Sequence, residues 1–161
     1  MSAAALVALY RERGLRLATA ESCTGGLVAG AITAIPGSSA VFTHGFVTYA
    51  NAAKTQILGV PDAMLAANGA VSAPVARAMA EGARRLADAD YAVAVTGIAG
   101  PDGGSIEKPV GTVWFGIAGR SGSIAQHQRF HGDRDEIRAQ AVAFAIALLA
   151  QAGELKHEQN A

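Results

Sequence analysis

The chain has 161 residues, enough for one domain with a core of its own. Hydrophobic residues make up 51% of it and charged residues only 16%, which excludes a disordered chain. Its 13 basic and 13 acidic residues give no cationic surplus, so a nucleic-acid partner is not expected.

In chain order, residues 3–13 read as an amphipathic helix stopped by Gly14. Residues 15–20 form a short apolar stretch ending in Glu21-Ser22, expected as a buried strand. Thr24-Gly25-Gly26 opens an apolar helix over 27–35, which Pro36-Gly37 closes. Aromatic and β-branched residues over 42–49 predict a second strand. Asn51 is placed to cap a helix carrying Lys54, and a short helix is expected over 62–67. Ser72 is placed to cap the clearest helix, with Pro74 in its first turn. Val75, Met79, Gly82, Ala83 and Leu86 share one face of it. The apolar run 91–95 predicts a strand covered on both sides, followed by a Gly/Pro loop over 96–109. Strands over 110–118 and 123–130 are joined by a hairpin turn, and Asp133 caps a last helix over about 134–152. The order predicts an α/β fold, a three-layer α/β/α sandwich around a mixed, largely parallel sheet. Residues 1–153 form the single expected domain and 154–161 a polar, frayed tail.

The lone Cys23 permits no internal disulfide and suits a reducing cytoplasm. The N-terminus lacks the basic start of a signal peptide. The longest apolar run, Ala141 to Ala150, is half of the ~20 residues a membrane span needs. No membrane contact is therefore expected.

The strongest chemical feature is Ala20-Glu21-Ser22-Cys23-Thr24-Gly25-Gly26, a strand end turning through small residues into a helix. A side chain on such a turn projects at the carboxyl edge of the sheet, where α/β proteins bind ligands. Backbone N–H groups there can hold an oxyanion or a phosphate. The geometry is that of a nucleophile elbow, though Gly-x-Ser-x-Gly is absent. An ordinary helix cap followed by close-packed glycines explains the same residues equally well.

A serine nucleophile needs a base. None of the four histidines, His44, His127, His131 and His157, has an obvious aspartate partner, and their spacing does not suit zinc. Neither a metal nor another cofactor is expected. A lysine can serve if desolvation lowers its pKa. Of the three lysines, Lys156 is in the tail and Lys108 in a polar loop, whereas Lys54 follows the second strand among small apolar residues. It falls near the first turn of its helix, where the dipole disfavours a cation. A solvated surface lysine is the plain alternative. Tyr49 either bonds to this pair or packs as an aromatic. Thr96 to Gly104 is a glycine-rich loop at the same sheet edge that matches neither Walker A nor Gly-x-Gly-x-x-Gly. Arg134 is either a phosphate partner or a solvated arginine in a capping segment. Cys23 is the rival nucleophile.

Five segments in one order resemble the CinA C-terminal domain family. They are Ala20–Gly26, Gly45–Asn51 with Lys54, Gly69–Ser72, Val95–Pro101 and Lys108–Val113. The other domain of longer members has no counterpart, which implies the stand-alone form. The resemblance implies hydrolysis of the carboxamide of nicotinamide mononucleotide (NMN), giving nicotinate mononucleotide and ammonia in pyridine nucleotide salvage. It implies a Ser22–Lys54 dyad with Tyr49 and Thr96 in the same hydrogen-bonded site. Thr24, Gly25, Gly26, Gly97 and Gly100 would bind the substrate. Arg134 would take its phosphate, with Arg138 the nearest competitor. The rival class is a non-catalytic nucleotide-binding or regulatory module. Alanine-rich and glycine-rich helices favour a homodimer or a larger homo-oligomer.

Overall fold

A computed structural model describes the backbone over residues 1–158 and side chains over 1–155. Its elements are α1 (Ala3–Glu12), β1 (Leu17–Glu21), α2 (Leu27–Thr33), β2 (Phe42–Val47), α3 (Asn51–Leu58), α4 (Asp62–Asn68), α5 (Ala73–Ala87), β3 (Tyr91–Gly97), β4 (Thr112–Gly119), β5 (Gly122–Arg129) and α6 (Arg134–Glu158). The five strands form one sheet in the order β2-β1-β3-β4-β5. β1 pairs in parallel with β2 and β3, whereas β3–β4 and β4–β5 are antiparallel. Only β4 therefore runs against the others. The expected α/β/α sandwich with a mixed sheet is present.

Alternation along the central strands sets the two faces. Val93 and Val95 of β3, with Leu17 of β1, meet α1, α2 and α6 in one core. Ala92 and Ala94, with Ala18 and Ala20, meet α5 in the other. Small residues on that second face let α5 lie close to the sheet. At Gly116 of β4 an added Cβ would collide with the Ala76 carbonyl of α5.

Because β2 and β3 flank β1 on opposite sides, the chain leaves β1 in both directions at the carboxyl edge, the usual ligand crevice of such sheets. Ser22, Thr48 and Ile98 are the residues that follow the three parallel strands there.

Four local expectations change. Asn51 is the first helical residue of α3, so Ala50 occupies the cap position and no side chain caps it. Ser72 holds the cap position of α5, but its hydroxyl donates to Gly69 O at 2.9 Å instead of serving the first turn. Leu86 is 50% exposed. Gly82 packs on Leu58, the last residue of α3, and Leu86 lies one turn beyond that cover. Finally, α6 runs through Gly153 to Glu158 instead of fraying near 152. Gly153 is buried against Tyr10 of α1, where a Cβ would lie 2.8 Å from the ring. Residues 159–161 of the expected tail lie outside the described residues, as do the side chains of Lys156 and His157. Asp133 does cap α6, accepting from Glu136 N at 2.9 Å while Glu136 accepts from Asp133 N at 3.2 Å.

Candidate active site

Ser22 stands where β1 ends. Its N–H donates to Val95 O at 2.9 Å, and its carbonyl accepts from Gly25 N at 3.0 Å. A trans peptide points its N–H opposite to its C=O. The Cys23 N–H is thus turned out of the turn, and it meets no backbone carbonyl among the described residues. Gly25 and Gly26 then take φ of 57° and 103°, two successive left-handed conformations that glycine alone adopts without strain.

Lys54 comes from α3 on the other side of β1. Its side chain is 1% exposed. Nζ lies 3.1 Å from Ser22 Oγ, 2.9 Å from Thr48 O and 3.0 Å from Tyr49 O. None of these partners is a carboxylate. Burial therefore lowers the Lys54 pKa below the usual 10.5, offset in part by the Cys23 sulfur. The alternative of a solvated lysine is overturned.

Cys23 beside it is 7% exposed. Burial pushes its thiol up to about 11, against smaller opposing effects from a hydrogen bond with its own backbone and then from the Arg138 guanidinium. A protonated thiol at neutral pH is a poor nucleophile.

A cleft of about 290 Å³ opens over this pair, lined by Ser22, Cys23, Tyr49, Arg134 and the loop residues Gly97–Gly100, Asp102 and Gly103. Gly97 is required by packing, since a Cβ would lie 2.7 Å from Val113 Cγ2 and 2.9 Å from Thr112 O. Arg134 donates to Gly100 O at 2.7 Å and to Tyr49 Oη at 3.1 Å, which ties three cleft walls together. Tyr49 is 59% exposed, so it serves the mouth of the cleft and not the core.

Several expected residues stand elsewhere. Thr24 is fully buried, and neither it nor Gly25 or Gly26 lines the cleft. The Thr96 hydroxyl donates to Ala70 O at 3.0 Å and makes no bond to Ser22, Lys54 or Tyr49. Its strand runs to Gly97, which carries the side chain toward the α4–α5 connection. Arg138 donates to Cys23 O at 3.1 Å and Thr24 O at 3.4 Å, so it braces the turn that carries Ser22 and leaves Arg134 as the arginine of the cleft. His44 stacks on Phe46, and His127 packs against Trp114. Neither lines the cleft. Among the described residues no group of His, Cys, Asp or Glu is placed to hold a metal, and no helix is long and apolar enough to cross a membrane.

Sequence reading missed Asp102 on the cleft wall and the partners of Glu21. The carboxylate of Glu21 is buried and accepts from Val28 N at 2.8 Å and Ala29 N at 3.1 Å. A glutamate closing an otherwise apolar strand, just before the turn, was the available signal.

The fold and this site define an α/β domain with a cleft serine beside a buried lysine at the carboxyl edge of its sheet. The chain belongs to the CinA C-terminal domain family, whose profile matches residues 1–152. It is 58% identical over 142 residues to nicotinamide-nucleotide amidohydrolase PncC of Escherichia coli, covering 88% of this chain and 86% of that protein. It is 60% identical to a CinA-like protein of Geobacter sulfurreducens over 88% of this chain, but spans only 34% of that relative's length. Among solved structures, a competence/damage-inducible protein from Agrobacterium tumefaciens superposes with TM-score 0.89 at 49% identity, over 91% of this chain and 90% of that one. A CinA-superfamily protein from Klebsiella pneumoniae gives 0.91 at 41% identity, over 94% and 95%.

Proposed function

We propose that this chain hydrolyses the carboxamide of nicotinamide mononucleotide to nicotinate mononucleotide and ammonia, using Ser22 as nucleophile and Lys54 as base. The name and coverage of the Escherichia coli relative support the substrate. The observation that carries the chemistry is the 3.1 Å approach of a buried lysine to a serine at a cleft.

Nζ has three oxygen partners, and Ser22 Oγ in turn donates to Tyr49 O at 3.5 Å. Two of the three are carbonyls, which only accept, and an NH2 group supplies two donors for them. In the neutral amine the remaining lone pair faces Ser22 Oγ, whose proton turns to it from Tyr49 O. Lys54 takes its proton as Oγ attacks the amide carbon, then returns it to departing ammonia. Water repeats the sequence on the acyl-enzyme. The positive pyridinium ring draws electrons from the carbonyl and favours attack. The Cys23 N–H, following the nucleophile and lining the cleft, is our candidate oxyanion donor, replacing the buried Thr24; one such donor contributes about 3 kcal/mol. Arg134 at the cleft mouth suits the phosphate.

A module that only binds nucleotides has no use for a buried amine without an anionic partner, which costs stability. The product would enter pyridine nucleotide salvage, and the enzyme would act in the cytoplasm as a homo-oligomer. Sedimentation velocity tests the homo-oligomer.

Purified protein given nicotinamide mononucleotide should release ammonia. Ser22→Ala and Lys54→Ala should each abolish that release with circular dichroism unchanged. Near-normal turnover by Lys54→Ala at neutral pH would overturn the dyad.

A further inference from the structure

Glu21 is a carboxylate where the fold has every reason to place an apolar residue. It ends a strand whose five residues are all buried, and its own side chain is 1% exposed. Removing a carboxylate from water costs several kcal/mol unless matched hydrogen bonds replace the solvent. No lysine or arginine forms a salt bridge with it among the described residues. Its partners are instead the N–H groups of Val28 and Ala29, at 2.8 and 3.1 Å, in the first turn of α2.

Those two donors would otherwise be left open at the helix start. The usual remedy is a capping side chain at the position before the helix, but that position is Gly26, at φ 103° with no side chain to offer. The cap comes instead from the residue just before Ser22, reaching over the whole 22–26 turn. Glu21 also acts through its main chain. Its carbonyl accepts from Thr48 N at 2.9 Å, and the Thr48 carbonyl accepts from Lys54 Nζ, also at 2.9 Å.

We infer that Glu21 is a positioning residue for the Ser22–Lys54 pair, its carboxylate clamping α2 back onto β1 so that the intervening turn holds Ser22 Oγ on the lysine. The inference rests on the reading of Ser22 as nucleophile given above. It places Glu21 behind the reacting atoms, since the residue is absent from the cleft lining. The walls that hold substrate, Gly97–Gly103 and Arg134, are not its partners. Its loss should therefore appear in kcat and leave KM in place.

Glu21→Gln keeps the shape but sets an amide N–H against one of the two backbone donors. Glu21→Asp keeps the charge and is one methylene short of spanning both. In folded Glu21→Gln, judged by circular dichroism, kcat for ammonia release should fall at least about tenfold with KM within about twofold. Glu21→Asp should lie between that variant and wild type. A fluorophosphonate, which phosphonylates an activated serine with loss of fluoride, should label Ser22 more slowly in proportion, with Ser22→Ala as blank. A role in stability alone would lower the melting temperature and leave the kcat and labelling rate of the folded enzyme unchanged, overturning the inference. So would a loss confined to KM. If Glu21→Gln does not fold, the same readouts on Glu21→Asp decide. Wild-type enzyme that takes the probe but releases no ammonia refutes the substrate and leaves the labelling ratio to judge Glu21.

Discussion

At the scale of single residues, the proposed chemistry depends on one proton on Lys54. Its amine is enclosed by two carbonyls and a hydroxyl, and burial lowers its pKa. A lowered pKa enlarges the neutral fraction at any pH below 10.5, so kcat/KM should rise with pH as Lys54 deprotonates. The midpoint of that rise should fall below the free-lysine value, as measured in a pH–rate profile. Lys54→Arg tests the same point from the other side. A guanidinium stays protonated at every accessible pH, so this variant should lack ammonia release across the whole profile although it preserves the charge. Retained activity in Lys54→Arg would mean that the cation orients Ser22 and accepts no proton. The sequence offered Ser22 and Lys54 as candidates because both sit at local breaks, a strand–turn–helix junction and a helix start after a strand, and the family resemblance then paired them. It did not disclose that the Thr96 hydroxyl turns to Ala70 or that Arg138 braces the turn, because those choices are made by partners 26 and 115 residues away.

Among the elements, the Ser22–Lys54 contact depends on helix packing, which is close at Gly82. A Cβ there would collide with the Leu58 carbonyl at the end of α3, the helix that carries Lys54. Gly116→Ala is the natural control, since its Cβ would strike Ala76 O at the α5–β4 contact, away from the cleft. Both substitutions overpack and should each cost about 1–3 kcal/mol in a urea melt. Only Gly82→Ala should also displace α3, and a shift approaching 1 Å lowers kcat by up to about 100-fold. Gly116→Ala should keep kcat within about twofold once the folded fraction is accounted for. The order of elements could be read from local pattern, as continuous apolar runs in the central strands and an amphipathic α5. Where it could not, a distant contact overrode a local signal. Gly153 reads as a stop, yet α6 passes through it because the Tyr10 ring of α1 leaves room for nothing larger. Leu86 reads as core, yet α3 ends before it can cover that turn.

For the whole molecule, the buried titratable groups give the stability curve its alkaline shape, with opposing signs. Lys54 binds its proton more weakly folded than unfolded. Between its lowered pKa and 10.5 the unfolded chain holds the extra proton, so stability rises with pH there. Cys23 acts in the other direction. Its thiol is raised from 9.0 to about 11, so between those values the unfolded chain has lost a proton that the folded one keeps. Stability must fall with pH across that window, by about 2 kcal/mol at its upper end at 1.36 kcal/mol per unit. Tyr10, fully buried and donating to Leu149 O at 2.7 Å, is likewise raised and deepens the fall above pH 10. Cys23→Ala isolates the thiol, since alanine does not titrate and the Cys23 N–H survives the change. Urea melts at pH 8 and near pH 11 should show wild type losing about 2 kcal/mol more than Cys23→Ala between the two. The same variant should keep its ammonia release at neutral pH, because a thiol with a pKa of about 11 is not the nucleophile there. Equal alkaline losses in both proteins would show that the thiol titrates alike folded and unfolded. Loss of turnover in Cys23→Ala, with Ser22→Ala active, would move the nucleophile to the neighbouring sulfur.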